Sequence, residues 1–219
     1  MEIKITRKRI KNIIIKVDEE GEVLISAPLK VPKSYIENLL KEKEEWIREK
    51  IALIQRRKER VSTYDAGEKF LYLGKEYLIE IKRDLQEGCQ LLEDRFIISL
   101  KENSLEKRKR LIDNWICENF YPYVVELTMS LGEKIGYTPI KIRFRDMKTR
   151  WGSCNTMKKS ITYNHQLYKK PIKAVEYVVL HELSHIPHPH HQREFWEFLE
   201  RYMPDWKSRR KLLKESKDE

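Results

Sequence analysis

The sequence predicts an α+β protein in two parts: a β-rich N-terminal unit with one long helix, and a C-terminal domain holding a small sheet and an apolar helix with a polar cluster. Three observations carry this. Short alternating apolar runs recur before residue 30 and again between 69 and 100. Apolar residues spaced by three, four and seven fill the stretch between them. The segment AVEYVVLHELSHI has too few charges for a surface helix. Only 40% of the 219 residues are hydrophobic and 37% are charged, but 5 Trp, 11 Tyr and 6 Phe can fill a core, which argues against disorder.

Taken in order, residues 3–6, 13–17 and 23–26 read as strands, the last following the turn at Glu20-Gly21. Pro28 and Pro32 end that pattern, and Pro32 suits a helix start. Ile36, Leu39, Leu40, Trp46, Ile47, Ile51 and Ile54 then mark one amphipathic helix to about residue 57. The charged and polar stretch 56–68 predicts a linker or long loop. Strands at 69–73, 76–81 and 95–100 complete the first unit, placed at 1–103. The second, 104–219, begins with helical spacing to about Gly136, which Pro122 should kink or split. Residues 140–145 and 160–163 predict strands, with a loop at 150–155 between them. Pro171 opens the apolar helix, and the basic stretch 207–214 reads as the solvated face of a final helix.

The net charge of +10 is spread along the chain. It favours anionic partners, such as nucleotides or nucleic acid, without specifying one. Three cysteines at wide spacing, Cys89, Cys117 and Cys154, argue against a disulfide framework and for a reducing compartment. No apolar run reaches the ~20 residues of a membrane span. The start MEIKITRKRIKN has no signal-peptide core. A cytoplasmic location is the expectation.

Five of the six histidines fall within residues 181–191. His181 and His185 lie four apart on the predicted helix, so both imidazoles leave one face on successive turns. Glu182 sits about 100° round from His181, beside the ligands, where it can take a proton from a metal-activated water. Burying such a cluster in an apolar helix is costly without partners, and a metal supplies them. A catalytic zinc needs a third protein ligand and an open fourth position. Pro187 and Pro189 stop the helix so that the chain can return, with His188, His190, His191, Glu194, Glu197 and Glu200 as candidates. His191 gives the spacing HExxH-x5-H that metzincin proteases also use, although His188 stands in the place of their turn glycine.

The motifs KTRWGSCN (148–155), ITYNHQL (161–167), YVVLHELSHI (177–186), HHQREFW (190–196) and MPDW (203–206) together resemble the YgjP-like metallopeptidase family, a zincin group. The N-terminal runs KNIIIKVDEEGEVLISAPLKVP (11–32), EEWI (44–47) and YLGKEY (72–77) extend the resemblance to nearly the full length. It implies a zincin-like catalytic domain and one zinc ion. The implied metal ligands are His181, His185 and His191, and the implied general base is Glu182. Where the family commonly has Asn, this chain has His190, a rival to its neighbour for the third position.

The expected function is zinc-dependent hydrolysis of peptide bonds, with a peptide or protein as substrate. Two readings stand beside it. One is a metal-dependent hydrolase of nucleoside triphosphates or other phosphoesters, favoured by the charge but lacking a phosphate-cradling Gly-rich loop. The other is a nucleic-acid-associated module with a closed, structural zinc. Arg150 and Trp151 are candidate substrate contacts, and Arg150, His188 and His190 candidate oxyanion donors. The loop 150–155 can equally be structural, with Gly152 making a tight turn and Trp151 plugging the base of the active-site helix. Cys154, Phe195 and Trp196 read as packing residues.

Overall fold

The computed structural model describes residues 3–18, 20–59 and 62–215. It is mixed α and β, with six α-helices and three small sheets among the described residues. Two compact units divide at Ser62/Thr63.

In the first unit, strands β1 (Ile3–Lys8), β2 (Ile14–Val17) and β3 (Val23–Pro28) form a sheet in the order β1-β3-β2. β3 pairs parallel with β1 and antiparallel with β2. Its alternation buries Val23, Ile25 and Ala27 on one face. Ile36 and Ile47 close this small core from two helices, α1 (Lys33–Glu42) and α2 (Glu44–Glu59). The expected single helix is therefore two, broken at Lys43, because the apolar spacing runs on through a residue with no helix-stopping chemistry.

The second unit begins with β4 (Lys69–Tyr72), β5 (Lys75–Arg83), β6 (Gly88–Leu91) and β7 (Arg95–Leu100), ordered β4-β5-β7-β6. Against it packs α3 (Leu105–Ile135), one continuous element capped by the Ser104 side chain. Pro122 does not split it. The Glu118 carbonyl that loses its donor lies at an exposed position.

Phe70, Tyr72, Phe96 and Ile98 of the sheet share one core with Ile112, Trp115, Ile116 and Phe120 of α3. Thus the boundary expected at 103/104 is wrong: the second sheet belongs with the helices that follow it. The linker expected at 56–68 also needs correction in its last part. Buried Arg108 donates to the Thr63 carbonyl at 3.0 Å and pairs with Asp65, tying that stretch to the second unit.

The chain continues through β8 (Lys141–Arg145), β9 (Gly152–Asn155) and β10 (Ser160–Asn164), in the order β8-β10-β9. A 3-10 turn, His165–Lys169, then leads to α4 (Ile172–Ser184), α5 (Arg193–Tyr202) and α6 (Trp206–Glu215). α4 buries Ala174, Val175, Val178, Val179, Leu180 and Leu183 and packs against α3, α5, α6 and β9. The Leu73-Gly74 turn between β4 and β5, both residues at positive φ, props the start of this helix. A Cβ on Gly74 would stand 2.8 Å from the Cα of Pro171, so only glycine allows that approach. Among the described residues no helix is long and apolar enough to cross a membrane.

Candidate metal centre

α4 carries His181 and Glu182 on its last turns and ends at Ser184, with His185 as its C-cap. Ile186 and His188 donate their amides to Leu183 and Ser184, while Pro187 and Pro189 have no N–H to continue the ladder. The chain turns back and enters α5, whose first turns present Phe195 and Trp196 beneath and beside His191.

His181, His185 and His191 each direct one ring nitrogen to a common point, all within 4.8 Å of one another. The Nε2 atoms of His181 and His191 are 3.1 Å apart. A tetrahedral zinc with bonds of about 2.0–2.1 Å sets its ligand nitrogens about 3.3 Å apart, close to the spacing of the His181–His191 pair, and His185 stands near enough to join them with a small shift of its ring.

The outer ring nitrogens are held as well. Nδ1–H of His185 donates to the His188 carbonyl at 3.3 Å, which leaves its Nε2 lone pair free. The Tyr177 hydroxyl lies 3.4 Å from Nδ1 of His181, turning Nε2 of that ring inward. Fully buried Phe195 floors the site, its ring centroid 5.0, 4.7 and 4.8 Å from those of His181, His185 and His191. The Trp196 indole N–H donates to the His191 carbonyl at 3.2 Å, fixing the returning chain.

Burial, followed by the neighbouring His185 and His191, pushes His181 down to about 3, so its imidazole is neutral. Burial also lowers His185. Glu182 is only 5% exposed, and burial, opposed by the nearby Arg150 charge, pushes it up to about 8. Its carboxylate lies against β9. A Cβ on Gly152 would stand 2.6 Å from both Cγ and Oε1 of Glu182. This corrects the reading of Gly152 as a tight turn in a loop: it is a strand residue, and it is glycine because Glu182 occupies the space of a side chain. Burial, and then Glu182, raise the Cys154 thiol to about 11, which leaves it un-ionised.

The triad and Glu182 line a cleft of about 640 Å³ with Arg150, Trp151, Tyr177, Trp196 and Arg210. Arg150 and Trp151 are held from behind by buried Asn164. Its side-chain amide donates to the carbonyls of Met147 and Arg150, both at 2.7 Å, and its backbone N–H donates to that of Trp151 at 2.9 Å. Trp151 also backs onto buried Lys170, whose ammonium lies 4.8 Å from the ring centre.

Of the six candidates for the returning position, His191 joins the triad. His190 is exposed, and His188 packs on Phe198 at 5.1 Å. Neither lines the cleft among the described residues, so both lose their place as oxyanion donors. Glu194, Glu197 and Glu200 are exposed on α5. Sequence reasoning missed Tyr177 and Arg210. Tyr177 stands one turn before His181 on the same face, a legible signal. Arg210 comes from the basic stretch read as solvated, and no local spacing announces it.

No curated protein matches the sequence. Among solved structures, the metallopeptidase zymogen of Pyrococcus abyssi abylysin is similar at 21% identity, over 41% of this chain and 90% of that chain, with a TM-score of 0.39. The profile of the YgjP-like metallopeptidase domain matches residues 11–216, and the chain belongs to that family.

Proposed function

We propose that this metallopeptidase-family hydrolase cuts peptide bonds with one zinc ion held by His181, His185 and His191 and with Glu182 as general base. The observation that carries the reading is the convergence of three neutral-capable imidazoles beside one buried carboxylate at the wall of an open cleft. When bound, the ion supplies Lewis-acid chemistry, polarising the scissile carbonyl and acidifying a water toward a pKa of about 7. Glu182, raised by burial, would return toward its ionised form beside a divalent charge. It then accepts the water's proton, holds it on a carboxylate oxygen and hands it to the leaving amine.

β9 is an edge strand that lines the cleft, so its free backbone groups can pair with an extended peptide. Arg150 and Trp151 contact that peptide. The alternative readings find less support. The cleft carries a soft, imidazole-rich donor set with one carboxylate, which suits zinc rather than the hard cations of phosphoryl transfer. Among the described residues the donor group has three members and opens onto the cleft, as a catalytic zinc requires.

The test compares zinc-loaded wild type with Glu182→Gln on an unfolded protein and on nucleoside triphosphates. The variant should keep its zinc and lose at least about 100-fold in proteolytic rate, with no triphosphate turnover by either protein. Full proteolytic activity in the variant would remove Glu182 from its role, and triphosphate turnover would reverse the substrate assignment.

A further inference from the structure

Adjacent arginines on α6 have opposite surroundings. Arg209 pairs with both Glu176 and Asp205 and is mostly covered. Arg210 has no carboxylate within ion-pair distance among the described residues. It lines the cleft, and its guanidinium carbon stands 5.8 Å from the centre of the Trp196 ring. That ring is itself fixed. It stacks on Trp206 at 4.6 Å and on His191 at 5.6 Å, and its N–H is held by the His191 carbonyl. A guanidinium over such a platform keeps its donors in a planar fork, the arrangement that matches a carboxylate with two parallel hydrogen bonds. Glu182 is the cleft's single acidic lining residue among the described ones, and it forms no ion pair with Arg210.

We infer that Arg210, resting on Trp196, is a specificity residue that binds a carboxylate of the substrate. The inference rests on the peptidase reading above. The carboxylate has two sources, the C-terminus of a short peptide or the side chain of an Asp or Glu near the scissile bond. Both would be drawn to the same fork, and the substrate would then be an acidic peptide or a free peptide end rather than a neutral internal segment.

The experiment measures binding of three acetylated tripeptides to the full-length, zinc-loaded Glu182→Gln protein, which does not consume them. They are Ala-Ala-Ala as the free acid, the same sequence as the C-terminal amide, and the amide with Glu in place of one Ala. At least one carboxylate-bearing peptide should bind at least about tenfold more tightly than the neutral amide. The free acid preferred indicates a chain end, and the Glu-containing amide preferred indicates a side chain. Adding Arg210→Gln, at an exposed position, should bring that ratio close to one, and Arg210→Lys should restore only part of it. A ratio that survives Arg210→Gln belongs to the ion or to Arg150 and overturns the inference, as does the lack of any preference for a carboxylate. Cleavage of the same peptides by wild type is read separately: a carboxylate preference without cleavage sinks the peptidase reading and leaves the binding role of Arg210 standing.

Discussion

Gly152 and Glu182 show how closely single atoms are placed in this cleft. With 2.6 Å between a would-be Cβ and the glutamate's Cγ and Oε1, Gly152→Ala must push the carboxylate aside. A displacement of about 1 Å at a reacting group costs on the order of 100-fold in rate. Gly152→Ala should therefore lose about that much proteolytic activity while binding zinc as tightly as wild type, since the histidines lie elsewhere on α4 and beyond it. Kinetics alongside a zinc-competition titration checks this; unchanged activity would mean that Glu182 tolerates the shift. Spacing made His181, Glu182 and His185 legible as a group and left His191 as one of several candidates for the third position. It could not reveal why position 152 is glycine, because the reason is a side chain thirty residues away in sequence that meets it only in the fold.

Among the elements, α4 was the most readable, since its long apolar run bears no alternative and its polar turn falls between helix and proline break. β9 was not readable. Gly152, Ser153, Cys154 and Asn155 have little intrinsic strand preference, and pairing with β10 makes the strand. α5 was half-readable: Phe195 was legible as packing, but not that it floors all three imidazoles. Phe195→Ala should destabilise the protein by about 3–5 kcal/mol through the cavity it leaves. It should also weaken zinc binding by about tenfold as the rings lose their support. Denaturant unfolding and zinc competition measure the two separately. A full loss of stability without any loss of metal affinity would show that the rings are held by their own hydrogen bonds alone.

Over the whole molecule, composition and periodicity gave the α+β class, yet the division into units was misplaced. The sheet β4–β7 reads locally like the strands before it, and only long-range packing of its aromatics on α3 assigns it to the second unit. The metal-free protein should carry the signature of its buried site in its pH dependence. Glu182, with a folded value near 8 against 4.5, holds a proton that the unfolded chain has lost, so it makes the protein less stable as pH rises from 4.5 to 8. His181 acts in the opposite sense. Its value near 3 against 6.5 means the unfolded chain takes up a proton the native site refuses, so stability falls as pH drops from 6.5 to 3. Metal-free wild type should gain stability on acidification from pH 8 to 6.5, and metal-free Glu182→Gln should lose that limb. Thermal unfolding across this range checks it, and an identical slope in both proteins would contradict the burial assigned to Glu182.

The claim on which everything else rests is an open, three-histidine metal site. An anomalous-scattering map of zinc-loaded crystals tests it most directly. One ion is expected about 2.0–2.1 Å from ring nitrogens of His181, His185 and His191, with its fourth position facing the cleft and held by no protein atom. An ion bound elsewhere, by His190 in place of His191, or closed by a fourth protein ligand would contradict it.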